Sequence, residues 1–374
     1  MNDPIRENAE TFSCSSCGAR PVWNPAGRDL KCPYCGAETA VDIDMTAAQE
    51  YPIQGAPVGE MPDWGEEKHV VRCEGCGAQT ILGPGESATF CAFCGSPHVL
   101  EDQSAAGIAP ESVIPFAVPQ ENAAGMFRKW IKGKLFAPSK AKKMSVLGQI
   151  IGVYLPHWTY ASNTVSHYTG QEGHYYWVQV PVTVTRNGKT VHEMRRERRT
   201  RWVPTAGSVQ RKFVDILIAG SERLPEKLLS AVRPYDLAAL CRYRAAFLSG
   251  FSAEKAAVDV NTGWEKAKAA IDRTMREAAH RDILKRADEA RVTSLQSMHY
   301  DARYKLTLLP MYISSFTYKD KSYHVLVNGQ TGKCGGKSPV SAARVLLAVA
   351  LGLVVVGGLA YLFAGGSGTP MPWQ

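Results

Sequence analysis

The sequence predicts an α+β protein made of two small N-terminal four-cysteine ribbons, a larger α+β core and a C-terminal single transmembrane helix. Three observations predict it. Eight of the ten cysteines fall into two copies of one pattern, the middle of the chain reads as strands, then helices, then strands, and twenty consecutive uncharged residues lie near its end. The implied boundaries are 1–45 for the first ribbon, 46–68 for a linker, 69–100 for the second ribbon and 101–113 for another linker. The core then covers 114–337, the span 345–364 and a short tail 365–374.

The ribbons are the sharpest signal. Cys14-x-x-Cys17 is followed by Cys32-x-x-Cys35, and Cys73-x-x-Cys76 by Cys91-x-x-Cys94, with 14 residues between the inner cysteines and an offset of 59 between the copies. Four thiolates from two tight turns suit a tetrahedral zinc ion with sulfurs at about 2.3 Å. Gly18, Gly36, Gly77 and Gly95 follow the second cysteine of each pair, where a left-handed backbone is easiest for glycine. Pro25-Ala26-Gly27 and Gly83-Pro84-Gly85 read as the turns between short strands. Disulfides would need an oxidising compartment, and no signal-peptide pattern opens the sequence. Redox C-x-x-C motifs come singly, beside a βαβ pattern. The expectation is two structural Zn²⁺ ions, each closed by four thiolates, with no position left for a catalytic water. His98 reads as a surface histidine.

Charge divides the chain. Residues 1–113 hold 6 Lys+Arg against 17 Asp+Glu, while residues 114–344 hold 37 against 18. Nucleic-acid affinity rests on cations that neutralise phosphates, so an acidic ribbon pair is poorly suited to it. Such ribbons suit a protein partner or a fold back onto the basic core. The core charge is open to two readings, attraction to anionic lipid or a solvated surface.

Between ribbon and span, Val113–Phe116 reads as extended and Asn122–Phe136 as a helix with Phe127, Trp130 and Ile131 on one face. Basic residues continue at Lys140, Lys142 and Lys143. Strands are expected at Gly148–Ala161, Tyr175–Thr185, Lys189–Val203 and Phe213–Ala219, with Arg186-Asn187-Gly188 as a hairpin turn. Arg195, Arg196, Arg198, Arg199 and Arg201 crowd one of these strands, and alternation sends them to both faces. Leu224–Thr293 reads as mostly helical, with breaks near Gly250 and Gly263, before strands return at Tyr304–Tyr318 and Tyr323–Val327.

No enzyme is expected. Gly332 to Ser338 imitates a phosphate loop, but Thr331 stands where its first glycine belongs, and the apolar span follows. His157, His167 and His174 are candidate ligands or acid–base groups in composition alone, and read as half-buried strand positions. Cys241 reads as core, and Cys334 as a plain juxtamembrane thiol.

Val345 to Ala364 carries no charge and matches one bilayer thickness as a helix. Lys333, Lys337 and Arg344 precede it and no Lys or Arg follows, so the positive-inside rule places the preceding domains in the cytoplasm. Lys140, Lys142, Lys143, Lys333, Lys337 and Arg344 are candidates for facing lipid or a partner.

The combination resembles a prokaryotic family of membrane-anchored double zinc-ribbon proteins. The likeness rests on the C-x-x-C-G pairs, Ile114-Pro115-Phe116, Phe127-Arg128-Lys129-Trp130 leading into Gly133 to Pro138, and Gly152 to Trp158. It continues with Leu309-Pro310-Met311-Tyr312-Ile313 and Val327 to Gly332 just before the span. The ribbons are also similar to transcription-factor-B-type ribbons. Members are often labelled primosomal protein N' or replication factor Y helicase-like, although helicase motifs are missing here. The charge division and the apolar tail point to a zinc-dependent adaptor at the membrane, and the resemblance implies association with membrane-stress proteins of the phage-shock and SPFH type. Nucleic-acid binding linked to replication or transcription is the alternative.

Overall fold

The computed structural model describes residues 13–364 apart from 47, 57–68, 83–90, 95–98, 103–109, 141–149, 187–188 and 320. The class is mixed α+β, and strand dominates. Three very long antiparallel strands organise it. β9 (Ile150–Arg186) lies between β10 (Lys189–Ala219) and β13 (Glu289–Tyr318), and β13 continues to β14 (Lys321–Asn328) and β15 (Cys334–Gly336). The short strands β8 (Ser112–Val113) and β12 (Ser252–Glu254) run parallel to β13 and β9 respectively.

The sequence expectation of separate strands is corrected here. The segment from Ser162 to Gly173 looks too polar for a core strand, yet it continues β9. Ser162, Thr164, Ser166 and Tyr168 alternate inward and are buried. Their polar atoms are satisfied across the sheet and by the helix above. Ser166 Oγ lies 2.8 Å from Ser297 Oγ, which donates to Asp272 Oδ1 at 2.6 Å, and Tyr168 Oη donates to Asp282 Oδ2 at 2.6 Å. The strands expected at Lys189–Val203 and Phe213–Ala219 are likewise one, with a bulge between Phe213 and Ile216 where Asp215 takes a φ of 53°.

The helical expectation for Leu224–Thr293 also narrows. Only Glu226–Ser230 and Val260–Leu284 are α-helical there, and strand resumes at Glu289. The long helix starts where Asp259 accepts from Asn261 N and Thr262 N at 3.0 Å each. It buries Trp264, Ala267, Ile271, Met275, Ala279 and Ile283 against the three long strands, a spacing of three or four residues. Gly263 does not break this helix. A side chain there would collide with the Tyr160 hydroxyl, so glycine permits the close approach of helix to sheet.

The first helix, α1 (Gln120–Lys132), buries Ala123, Phe127 and Ile131 and stops before Gly133, short of Phe136. The core beneath it gathers aromatic rings. Phe116 stacks on Phe251 at 4.1 Å and packs edge-on to Tyr154 at 4.9 Å, while Tyr312 Oη donates to Val118 O at 2.7 Å.

Both ribbons are packed on this core. In the first, β1 (Val22–Asn24), β2 (Asp29–Lys31) and β3 (Glu38–Ala40) form their own small sheet. In the second, β5 (His69–Cys73) pairs with β6 (Gln79–Leu82) and β7 (Val99–Asp102), and β6 pairs with β12, so these strands extend the main sheet.

Candidate metal centres

Three of the C-x-x-C turns are held by a repeated backbone pattern, and Gly95 of the fourth lies outside the described residues. Cys14 N donates to Ala19 O at 2.8 Å and Gly18 N to Cys14 O at 2.8 Å. Cys32 with Ala37 and Gly36, and Cys73 with Ala78 and Gly77, repeat it. Gly18, Gly36 and Gly77 have φ of 71°, 76° and 69°, the left-handed region that glycine enters without a steric penalty. The knuckle thereby turns its amides toward sulfur.

The four sulfurs of each copy converge. Cys14, Cys17, Cys32 and Cys35 lie within 4.8 Å of one another, as do Cys73, Cys76, Cys91 and Cys94. The closest pairs are Cys14–Cys35 and Cys17–Cys32 at 3.5 Å, Cys73–Cys94 at 3.5 Å and Cys76–Cys91 at 3.6 Å. Four ligands at about 2.3 Å from a tetrahedral zinc would be separated by about 3.8 Å. The donor set and its spacing fit zinc, and all eight cysteines are thiols rather than disulfides. Amides prepare some of them for the thiolate form. The Cys35 N–H, joined by that of Tyr34, holds the Cys32 thiol down to about 6 against the opposing effect of burial. Burial would raise Cys73, but amides of Cys76 and Gly75 and the neighbouring thiols outweigh it and bring Cys73 to about 7. Burial pushes Cys91 upward. Bound zinc would supply the remaining drive to deprotonation.

The two centres sit differently. In the first, Cys17 and Cys35 are exposed, and the ribbon holds the core through Trp23, which is 2% exposed. Trp23 Nε1 donates to Phe116 O at 2.9 Å, its ring meets Phe247 edge-on at 5.1 Å, and its amide donates to Ser249 O at 2.9 Å. In the second, Cys73 and Cys91 themselves join a cluster with Val153, Leu155, Leu224 and Met311. Arg223 reaches across and donates to Cys76 O at 2.7 Å and Gly77 O at 2.6 Å, and Ser315 Oγ donates to Phe93 O at 2.7 Å. Sequence reading missed both anchors. Applying the 59-residue offset would have paired Trp23 with Leu82, and both are buried. Nothing in the sequence singles out Arg223.

The other candidates are scattered. His157, His167 and His174 lie along β9, not together. His157 is buried, its Nδ1 is 3.1 Å from Leu155 O, and burial lowers it to about 4. His167 is exposed, and His174 lies 3.5 Å from Glu172. Cys241 is buried, with its thiol donating to Val113 O at 3.3 Å.

Among the described residues one helix, Ala342–Ala364, is long and apolar enough to cross a membrane. Its best 18-residue window, Ala342–Leu359, has a mean hydropathy of 2.3, and 0% of it is buried, unlike a core helix. Its start is clasped by protein. Arg344 donates to Leu135 O at 3.1 Å, Ala137 O at 2.6 Å and Ser139 Oγ at 2.6 Å, so this guanidinium faces the loop after α1 rather than lipid. Lys333 Nζ donates to Arg233 O, while Lys140 and Lys337 are exposed. Lys142, Lys143, His98, Gly83 to Gly85, the linker stretches 57–68 and 103–109 and the tail 365–374 lie outside the described residues.

No protein-family model matches the chain, and no solved structure matches it. Among curated proteins it is similar to one from Bacillus subtilis (strain 168), 26% identical over 252 residues that cover 66% of this chain and 69% of the relative. That relative is described as the uncharacterized protein YdjG.

Proposed function

We propose that this protein is a membrane-anchored zinc-ribbon adaptor that binds protein partners at the cytoplasmic face of the membrane. The observation that carries the reading is the packing of two four-thiolate clusters on one core whose last strand leads into an uncovered apolar helix. A closed centre has no open coordination position for catalysis and serves to fix surface shape. Exposed Leu135, Phe136 and Val340 flank the clasp at the start of the apolar helix, as suits a surface that meets the membrane interface. Lys333, Lys337 and Arg344 just before the apolar helix support an inward orientation of the domains that precede it. The family resemblance extends the reading to membrane-stress partners of the phage-shock or SPFH type, in a binding rather than catalytic role. The relative's description adds nothing on this point.

The alternative is a nucleic-acid-binding protein tied to replication or transcription. The exposed arginines of β10 favour it, and the acidic ribbons oppose it. Affinity capture from cross-linked native membranes tests both, comparing wild type with a Cys14→Ser, Cys73→Ser double variant and identifying bound protein and nucleic acid. Membrane proteins recovered only with intact ribbons are expected. Nucleic acid recovered instead, with no ribbon-dependent protein, overturns the adaptor reading.

A further inference from the structure

The third long strand stops early. β13 pairs with β9 from Ser314↔Ile150 only as far as Glu289↔Gly173, whereas β9 and β10 stay paired to Arg186↔Lys189. Thirteen residues of β9 therefore run on as a two-stranded arm, about 40 Å long at the usual rise per residue. It projects from the end of the sheet opposite Ile150. A bare two-stranded ribbon is marginally stable in water, so its surface is informative about what covers it.

The two strands of the arm differ in kind. Cross-strand partners share a face, which pairs Arg195 with Val180, Arg199 with Tyr176 and Arg201 with His174 on one side. On the other side Arg196 faces Gln179 and Arg198 faces Trp177. Each face thus has a cationic rail on β10 and an apolar or aromatic rail on β9. The guanidiniums are steadied by rings, with Arg198 4.1 Å from the Tyr175 centroid and Arg196 5.1 Å from that of Trp177. At the base of the arm Arg291 lies 3.8 Å from the Trp202 centroid. Among the described residues, Arg195, Arg196, Arg198 and Arg201 have no carboxylate partner, and Arg199 has Glu197 at 3.6 Å. Trp177 and Met194 remain 57% and 61% exposed.

We propose that the arm is a docking site for an acidic amphipathic segment of a partner protein, its carboxylates on the arginine rail and its apolar stripe on the Tyr176–Val178–Val180 or Tyr175–Trp177 rail. This deepens the adaptor reading and rests on it. Unpaired guanidiniums beside exposed Trp and Tyr are the composition of interface anchors, and their planar forks match carboxylates. A nucleic-acid groove would set phosphates against both strands, but the arginines from 195 to 201 lie on β10 alone. Residues 174–201 carry seven Lys+Arg against two Asp+Glu, so two arms repel one another. The membrane at the protein's own span is disfavoured as well, because β15, which leads into that helix, joins the sheet at the far end of β9.

The test uses full-length protein in phosphatidylcholine nanodiscs at 0.15 M salt. The probes are a helical Leu/Glu amphipathic peptide, its Leu/Lys counterpart, polyglutamate, an oligo(dT) strand and phosphatidylglycerol vesicles. The Leu/Glu peptide should bind best, Arg196→Glu with Arg198→Glu should weaken it at least about tenfold, and Trp177→Ser should weaken it severalfold. Two zinc ions per chain in the variants would show that the ribbons survive. Unchanged peptide binding in the charge-reversed variant overturns the inference, as does tighter arm-dependent binding of oligo(dT) or vesicles, or self-association lost with the same charges. Ribbon-dependent capture of membrane proteins that ignores the arm charges removes this inference and leaves the adaptor. No capture by wild type removes the adaptor, while peptide binding still decides what the arm recognises.

Discussion

The two ribbons share a cysteine pattern and a knuckle geometry, yet they hold the core by different means. The first keeps a sheet of its own and is pinned by Trp23, which packs with Phe116 and Phe247 beside the smaller Leu30. The second gives up its independence, since its strands continue the main sheet through β12 and its cysteines are themselves part of an apolar cluster. One module is thus pinned and the other is fused. A metal that folds a fused module also supports the sheet around it, whereas a metal that folds a pinned module supports that module and its pin.

The largest expected effect follows from this contrast. Cys73→Ser with Cys91→Ser should halve the zinc content and destabilise the whole core by several kcal/mol, because it removes a folded neighbour of Val153, Leu155 and Leu224. Cys14→Ser with Cys32→Ser should also halve the zinc but leave the main sheet melting closer to wild type. Thermal melts followed on the sheet signal, with zinc counted per chain, make the measurement. Equal losses for the two variants would break the distinction between pinned and fused.

Next in size is the pin. Trp23→Ala removes a buried indole and strands the carbonyl of Phe116, at a cost of about 3–5 kcal/mol by analogy with other large-to-small core changes. Zinc should stay at two per chain while residues 13–45 become open to protease. Protection of that segment unchanged from wild type would show that Leu30 and the backbone contact to Ser249 suffice without Trp23.

The cysteine clusters and the long apolar helix were legible because both follow fixed rules, ligand spacing and helix length. The long strands were not, for a specific reason. From Ser162 to Gly173 the inward positions are Ser, Thr, Ser and Tyr, whose buried polar atoms are paid for by partners in β13 and the helix Val260–Leu284, residues more than a hundred positions away. Hydropathy alternation is silent there, since neither face is apolar. The same holds from Glu289 to Tyr300, where an Ala-, Arg- and Ser-bearing stretch extends the helical composition before it and folds as strand. Arg223 was invisible for a related reason, because its carbonyl partners on the second ribbon lie about 146 residues away. The arm was half legible. Its arginines stood out, but that they lie on a two-stranded arm depends on where β13 stops.

A smaller, pH-dependent effect sharpens the comparison from the fused side. Glu254 in β12 bridges ribbon and core, accepts from Ser221 Oγ at 2.9 Å and is raised to about 7 by burial. Glu111, raised to about 7 by the same cause, lies beyond the ribbons and accepts from Leu306 N at 2.7 Å. A carboxyl with a folded pKa above its ordinary 4.5 binds a proton more tightly when folded. Its stabilisation is full below about 4.5 and is lost as pH rises through about 7. Each group therefore contributes a fall of at most roughly 3 kcal/mol across that window. Glu254→Gln and Glu111→Gln should each flatten the decline between pH 6 and 8 in chemical unfolding. If only Glu254→Gln also steadies the second ribbon against chelator, the coupling of that ribbon to the sheet runs through β12.

The smallest expected change concerns Arg223. Its guanidinium closes the backbone of the Cys76–Gly77 knuckle with two hydrogen bonds, and its own amide donates to Ser221 Oγ at 3.2 Å, beside Glu254. These bonds are exposed, so water can replace them in part, and Arg223→Ala should cost about 1–2 kcal/mol. The consequence is directional, because the first ribbon has no contact with Arg223 among the described residues. Zinc release to a chelator should quicken at the second centre and stay unchanged at the first, read with single-centre backgrounds in which the other four cysteines are serines. Arg223→Lys keeps the charge but loses the paired donors that reach both carbonyls, and it should fall on the alanine side. A lysine variant that releases zinc at the wild-type rate would mean that charge near the knuckle, rather than the fork geometry, holds the second ribbon to the core.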